Sequence, residues 1–462
     1  MSTLFSNYER IISNGDHKLR ADALEIAEAG IRRVIPYEAV HRLISCDDSY
    51  IHVGGLEIPW DRVNHIYVVG AGKGSFPIAQ ALDEIFGERI SAGTVIVKDG
   101  EKRRLPHIEI FESSHPIPDA RSIEAADKLM RILSEAGEGD LVFAAVTGGS
   151  SALVNKPAGG ITLENLRQIN LDLLNCGAEI GKINMVRKHI CLMKGGRLVQ
   201  YGQPAMVVTL TFDTAPPDMP WPDMCLPDPT TFADAIQVLK DYELWEQAPK
   251  PVRSYLLYGL EHPELETVKS LDGMRQAVFS VADPQLACQA AAQAAQALGY
   301  TPHVISTTME GEAKDVGIVM AGITDEVLTS KRPFQPPCAL ISGGETTVTI
   351  QESCGSGGPN QETVLGFAGK IRHRAGYAFI SLDTDGTDGP CDRAGGIVDG
   401  ATVRRIREQK IHLAKVLHDH NSGEMLEHLG DDLITGHTGT NVMNLRIVLI
   451  GKEEGNGSDC GN

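Results

Sequence analysis

No apolar run in this chain of 462 residues approaches the roughly 20 residues that a membrane-crossing helix needs, so no membrane partner is expected. Its nine cysteines are scattered with no CxxC pair, which argues against a disulfide frame or a zinc site and for reduced thiols. Positive charge is scarce: 42 Lys and Arg stand against 61 Asp and Glu, a net charge of −19. Such a surface repels nucleic acid and anionic lipid, and no basic stripe offsets it, so no nucleic-acid partner is expected. A GxxxxGK[ST] phosphate loop, a GxSxG serine elbow and an internal repeat of fixed period are all missing. The opening "MSTLFSNYERIISNGDHKLR" has no apolar core behind a basic region, so it does not read as a signal peptide, and a cytoplasmic location is expected.

What is present is ordinary for a globular protein: 42% hydrophobic and 22% charged residues. The length predicts two or three domains. "RVNHIYVVGAGKGSFPIAQALDEIF" reads as strand, glycine turn, helix, and "DLVFAAVTGGSSALV" repeats that order. This alternation predicts an α/β protein, with a doubly wound, mostly parallel sheet in a larger domain over 1–332. Helical spacing marks "HKLRADALEIAEAGIRRVI" and a long amphipathic region over 161–182, where Thr162 is a candidate cap facing Asn165 rather than Glu. "KRPFQPP" at 331–337 is the linker candidate, and shorter strands beyond it predict a smaller α/β domain over 335–452. The proline-rich segment at 213–229 is expected to be a functional loop, a lid among the options, and 453–462 a disordered tail.

In an acidic protein, a site for an anion must gather its cations locally. The turn Gly70–Ser75 holds Lys73 between Gly72 and Gly74, where a helix N-terminus offers N–H groups to an anion. It is an imperfect dinucleotide fingerprint, because Ser75 stands where the last glycine belongs, although Asp99 could mimic the acid that holds a ribose. The turn with Gly149, Ser150 and Ser151 has the same logic. "INMVRKHICLMKGGRL" gathers Asn184, Arg187, Lys188, His189, Lys194 and Arg197; on a helix Asn184, Arg187 and Lys188 share one face, which Gly195-Gly196 would end. Glu345, Asn360 and Gln361, and Thr440 with Asn441, lie in further glycine-rich turns. "SLDTDGTDGPCDRAGG" places Asp383, Asp385, Asp388 and Asp392 on one turn after an apolar strand. Singly, each turn also reads as a plain strand-to-helix connection. Together they point to a cleft lined by strand ends, where open α/β sheets bind ligands.

The turn around Lys73, then "GGSSAL", "NMVRKH" with "KGGRL", "ISGGETTV", "GGPNQE", "DTDGTDGP" and "TGTNVMNL", occur in the order seen in glycerate 2-kinases. Over roughly residues 5–452 the chain resembles that family, which has a large N-terminal domain and a C-terminal MOFRL domain. The resemblance implies ATP as co-substrate, Mg2+, and phosphorylation of D-glycerate at its 2-hydroxyl in a cleft between two α/β domains. It makes Lys73 a phosphate- or carboxylate-contacting lysine and places substrate or nucleotide on Ser150, Ser151, Asn184, Arg187 and Lys188. Asp383, Asp385 and Asp388 become metal ligands, or contacts to a hydroxyl, with Asp385 and Asp388 catalytic.

The chain departs from the family's pattern in three places. The stretch after the mid-chain strand reads "TFDTAPPD", the next reads "MCLPDPTTF", and "GSGGPNQE" has Ser356 and Pro359 where basic residues are usual. Three readings therefore stand side by side: a kinase for a small hydroxy acid; another enzyme on the same scaffold, such as an NAD-linked hydroxypyruvate reductase; and a non-catalytic small-acid binder. A homodimer is an open assembly state.

Overall fold

The computed structural model describes residues 3–100, 102–212, 224–350 and 355–452. The chain forms two compact units, one of Pro36–Val281 and one of Met1–Ile35 with Ala282–Asn462.

The first unit is built on six strands: β1 (Ile66–Ala71), β2 (Ile90–Lys98), β3 (Glu109–Ser113), β4 (Leu141–Thr147), β5 (Met206–Phe212) and β6 (Gln276–Ala282). They lie in the order β3-β2-β1-β4-β5-β6. β1 is parallel to both β2 and β4, β2 to β3, and β4 to β5. Every residue of β1 and β4 is buried, as expected for strands covered on both faces. Alternate side chains feed two cores. Val69, Ala71, Val142 and Ala144 pack with Leu129 and Leu133 of the helix Ala120–Glu135, whereas Val68, Phe143 and Ala145 pack with Ile78, Leu82 and Phe86 of the helix Ser75–Phe86. The order of connection reverses between β1 and β4, and the glycine turns after these two strands open at that switch point, where doubly wound sheets bind ligands.

The second unit holds β7 (Thr301–Ser306), β8 (Cys338–Gly344), β9 (Tyr377–Asp383), β10 (Gly395–Asp399), β11 (Asp432–Leu433) and β12 (Asn444–Ile450), ordered β7-β8-β12-β9-β10-β11. This sheet is mixed: β7 and β8 are parallel, and β12 runs antiparallel to β8 and β9. Helices His17–Arg33 and Pro284–Ala297 cover one face, and Ala313–Ser330 with Pro359–Lys370 cover the other.

The units differ from the expected split at 332–335. The segment 331–337 is a connection inside the second unit, because β7 pairs with β8 across it. The N-terminal helix also belongs to that unit, through Leu24, Ile26, Ala27 and Ile31. Strand–helix alternation shows that βα pairs exist, not which sheet each one joins. The region 161–182 resolves into two helices, Leu163–Asn175 and Ile180–His189. The capping box at Thr162 is complete, with Asn165 serving as Glu would: both reciprocal bonds measure 3.2 Å. The helix 180–189 ends before Gly195-Gly196, which instead lead into the helix Arg197–Tyr201. The segments 213–223 and 453–462, expected as loop and tail, lie outside the described residues.

Arg20 ties the N-terminal helix to its sheet. Fully buried, it grips Asp399 through Nε (2.8 Å) and Nη2 (3.0 Å) and reaches Asp431 through Nη1 (2.7 Å). Arg20→Met would leave Asp399 buried without its cation, while Asp431 would keep Arg405 at 2.6 Å. The expected loss is about 3–5 kcal/mol in urea unfolding; a midpoint equal to wild type would mean the helix docks by its apolar face alone.

Candidate active site

The turns after β1 and β4 are bound to one another. Lys73 N–H donates to Gly148 O (2.8 Å) and Gly74 N–H to Thr147 Oγ1 (2.9 Å). Gly72 stands at φ +143°, and a Cβ there would fall 2.1 Å from Thr147 Oγ1. Gly149, at φ +91°, is flanked on both sides: a Cβ would lie 3.1 Å from Lys73 Cγ and 3.2 Å from His115 Nε2. Glycine is thus required at both positions, by conformation and by the closeness of the turns. Ser75 Oγ donates to Ala145 O (2.9 Å), which fixes the helix start to β4 and makes Ser75 a brace for the turn. Lys73 itself is exposed, and no carboxylate among the described residues pairs with it. Burial, then the charges of Lys73 and Lys98, push the His115 pKa down, so its imidazole is neutral beside the lysine. Ser150 is buried and Ser151 half-buried at the start of the short helix Ser150–Leu153.

The helix Ile180–His189 does carry Asn184, Arg187 and Lys188, but they have different surroundings. Lys188 Nζ is paired with buried Asp228 at 3.2 Å. Lys194 is buried among neutral acceptors: Val154 O (3.2 Å), Asn155 Oδ1 (3.1 Å) and Cys191 Sγ (3.4 Å). Burial pushes its pKa down, and so does the like charge of Arg187. Arg197 holds the carbonyls of Lys188, Cys191, Lys194 and Leu265, and His189 bridges Met185 O and Glu266. Lys188, Lys194 and Arg197 therefore brace this region. Arg187 is the exception. Its Nε meets only Asn170 Oδ1 (2.9 Å), no carboxylate among the described residues pairs with it, and burial pushes its pKa down. One turn away, Asn184 Oδ1 is buried without a hydrogen-bond partner. An unpaired guanidinium beside an orphaned acceptor suits an anion that also carries a hydroxyl.

In the second unit the acidic turn after β9 separates into different roles. Asp388 is buried: Oδ1 accepts from Asn360 N (3.0 Å) and Asn360 Nδ2 (3.0 Å), and Oδ2 accepts from Gln361 N (2.9 Å). It caps the helix Pro359–Lys370, so Asn360 and Gln361 are its partners rather than free ligands. Burial raises its pKa to about 6 against those bonds. Pro359 opens that helix at its first position, where a missing N–H costs nothing. Asp385 Oδ1 takes Thr387 N and Oγ1, both at 2.8 Å, and its Oδ2 takes Asn441 Nδ2 (3.0 Å). Asp383 accepts from Asp385 N (3.1 Å) and Asn444 Nδ2 (3.1 Å). Burial, and then the Asp385 charge, raise the Asp383 pKa to about 8. Thr440 Oγ1 donates to Val34 O (2.5 Å), a packing role, and Glu345 is exposed. Asp392 is exposed and paired with Arg393.

The family described as a domain of unknown function (DUF4147) matches residues 22–257, and the MOFRL family matches 338–444. The glycerate 2-kinase of Pyrococcus horikoshii is 40% identical over 94% of this chain and 99% of its own length. The D-glycerate 2-kinase of Thermotoga maritima is 33% identical over 94% and 98%. The chain belongs to the glycerate 2-kinase family. Solved structures agree. A protein of Pyrococcus horikoshii superposes with a TM-score of 0.89 at 39% identity, and the Thermotoga maritima glycerate kinase with 0.82 at 32%; each comparison covers 94% of this chain and 99% of the other.

For a member of this family, magnesium is the metal to test against the residues. Among the described residues no group of three or more His, Cys, Asp or Glu is set to hold a metal. Asp388, expected as a ligand, has both oxygens engaged by the helix start. Asp383 and Asp385 also accept bonds at every oxygen, but from turn N–H groups, a hydroxyl and side-chain amides rather than from a helix start. They form a close pair in which burial, and then the Asp385 charge, raises the Asp383 pKa. Two hard oxygen donors of this kind fit Mg2+, which commonly takes one or two carboxylates and completes its shell with phosphate and water.

Sequence reasoning overlooked His115, Thr147, Asn444 and Arg446. Arg446 carries a usable signal, an arginine inside the apolar strand "NLRIVLI" whose charge must be buried. His115 has none, since it meets Lys73 and Gly149 only through the fold.

Asp388→Ala should lower stability by about 1–2 kcal/mol through loss of the helix cap, read by urea unfolding; an unchanged midpoint would remove the capping role. Glu266 gives a pH test. Burial alone would raise its pKa, but bonds from His189, Phe232 N–H and Lys269 hold it at about 2 against an unfolded value of 4.5. A depressed carboxylate stabilises above its unfolded pKa and stops doing so as pH falls through the folded one. The stability difference between wild type and Glu266→Gln should be full above pH 4.5 and shrink toward pH 2; a gap independent of pH would contradict the ion pair.

Proposed function

We propose that this protein transfers the γ-phosphoryl group of ATP to the 2-hydroxyl of D-glycerate, releasing ADP and 2-phosphoglycerate. The observation that carries the proposal is the 40% identity to the Pyrococcus horikoshii glycerate 2-kinase across 94% of this chain, with no insertion or truncation of a whole unit on either side. The residues support it in kind. Phosphoryl transfer is chiefly positioning and charge neutralisation, and the two units supply a lysine and an arginine that no carboxylate among the described residues pairs with, and a carboxylate pair.

In this reading Lys73, beside the N-terminus of the helix Ser75–Phe86, contacts a phosphate or the substrate carboxylate. Arg187 binds a second anionic group through its free fork, and Asn184 Oδ1 accepts from a substrate hydroxyl. Neutral His115 lies at the same turn as Lys73, able to accept a proton. Asp383 and Asp385 hold Mg2+, which when bound neutralises phosphate charge. Asp388 acts at one remove, by fixing the helix start beside that pair. A cytoplasmic location and a homodimer belong to the same reading; among the described residues no helix is long and apolar enough to cross a membrane.

A second reading has two observations in its favour. The strand order of the first unit is that of dinucleotide-binding sheets, and a relative from Agrobacterium vitis, 38% identical over 83% of this chain, carries a provisional name of hydroxypyruvate reductase. Against it, Asp99 is paired with Arg121 at 3.0 Å rather than free for a ribose. Absence of NADH oxidation with hydroxypyruvate would dispose of the reductase.

A coupled ADP-release assay with D-glycerate, ATP and Mg2+ should show turnover that Lys73→Ala reduces about 100- to 1,000-fold with little change in Tm. No ADP release by the wild type, or full activity in the variant, would overturn the assignment.

A further inference from the structure

Beneath the carboxylate pair lies a buried polar layer that the proposed reaction does not by itself require. Arg446, on β12, is fully buried, and its neighbours in register are Ser342 on β8 and Ser381 on β9. Its Nη2 donates to Asn444 Oδ1 (2.5 Å) and Thr346 Oγ1 (2.8 Å). Among the described residues Nε and Nη1 have no partner, nor does Ser342 Oγ. Burial pushes the Arg446 pKa down to about 10, and the charges of Asp388 and Asp383 oppose that fall. An unpaired guanidinium in such a place costs several kcal/mol unless it serves its neighbours.

The service is legible in Asn444. Its Oδ1 receives three donors: Thr346 N (3.1 Å), Thr346 Oγ1 (3.2 Å) and Arg446 Nη2. An amide nitrogen placed there would face two groups that can only donate, the Thr346 N–H and the guanidinium, so the orientation of the amide is fixed. The opposite end must then present its NH2 group, and this group donates to Asp383 Oδ2. Asp385 N–H meets Asp383 Oδ1 from the other side.

We propose that Thr346, Asn444 and Arg446 form a positioning relay. Arg446 and Thr346 lock the Asn444 amide, and the amide locks the Asp383 carboxylate in the orientation that binds a divalent cation. The inference rests on the metal role given above to Asp383 and Asp385. Partners of this kind, one bond removed from a metal ligand, commonly govern affinity as strongly as the ligand's own geometry does. All three are buried and would act through Asp383, so they are positioning residues.

The test reads metal binding without turnover. Mn2+ is titrated into the purified protein, and free Mn2+ is followed by electron paramagnetic resonance. Thr346→Val keeps shape and main-chain N–H but removes the hydroxyl that meets Asn444 and Arg446; Thr346→Ser restores it; Asn444→Ala removes the amide. Thr346→Val and Asn444→Ala should weaken Mn2+ about 10- to 100-fold. Thr346→Ser should stay within about twofold of wild type, and circular dichroism should show all three folded. In the kinase assay the Mg2+ requirement should rise likewise while the KM for D-glycerate stays put. Wild-type Mn2+ affinity in folded Thr346→Val and Asn444→Ala, or a loss in Thr346→Ser equal to that in Thr346→Val, overturns the relay. Mn2+ binding that follows the expected order in a protein that phosphorylates nothing upholds the relay and removes the kinase; a wild type that binds no Mn2+ overturns the relay.

Discussion

The site of the first unit depends on one main-chain bond, from Lys73 N–H to Gly148 O at 2.8 Å. It joins the turns that leave two adjacent parallel strands at the point where the sheet reverses its order of connection. It acts with the bonds from Gly74 N–H to Thr147 Oγ1 and from Ser75 Oγ to Ala145 O, which hold the same turn in a protein of net charge −19. With it, the backbone is fixed by Gly72 and Gly149, residues that tolerate what a side chain could not. Among the described residues no carboxylate pairs with the lysine. An unpaired cation in an acidic protein costs stability and is available to a substrate anion, which is the trade a binding site makes.

The second unit solves the opposite problem. It gathers carboxylates with too few cations, and each acquires a definite function from its neighbours. Asp388 caps a helix, so its negative charge meets N–H groups at the positive end of a dipole. Asp383 and Asp385 remain close together with raised cost, relieved by amides from Asn441 and Asn444 rather than by an ion pair. Arg446 lies near both Asp383 and Asp388 but bonds to Asn444 and Thr346. Its charge steadies the group while its geometry is committed to the amide. Had the arginine gripped Asp383 directly, the carboxylate would be neutralised and of little use to magnesium.

Much of this was legible in the sequence. The parallel sheet, the glycine turns, and the helix carrying Asn184, Arg187 and Lys188 follow from periodicity and turn chemistry, and the order of motifs identified the family. What the sequence could not separate was a residue whose polar atoms the fold already engages from one it leaves open. Lys188 and Arg187 are adjacent in the same motif, yet the fold brings the Asp228 carboxylate to the first and, among the described residues, only the Asn170 amide to the second. Asp388 and Asp385 share one short turn, yet the start of the helix Pro359–Lys370 occupies only Asp388. The compact units do not divide at 332–335 for a similar reason: β7 pairs with β8 across that segment, a contact that chain order does not encode. Pro359, which replaces a usually basic residue of the family, reads as a loss in the sequence but as a well-placed first helical residue in the fold.

The most direct measurement of the central claim is the 31P NMR spectrum of a reaction of this protein with ATP, Mg2+ and D-glycerate, taken to completion. The account predicts a single new phosphomonoester coupled to the proton on C2 of glycerate. A phosphorus signal coupled to the C3 protons, or no phosphomonoester at all, would contradict it.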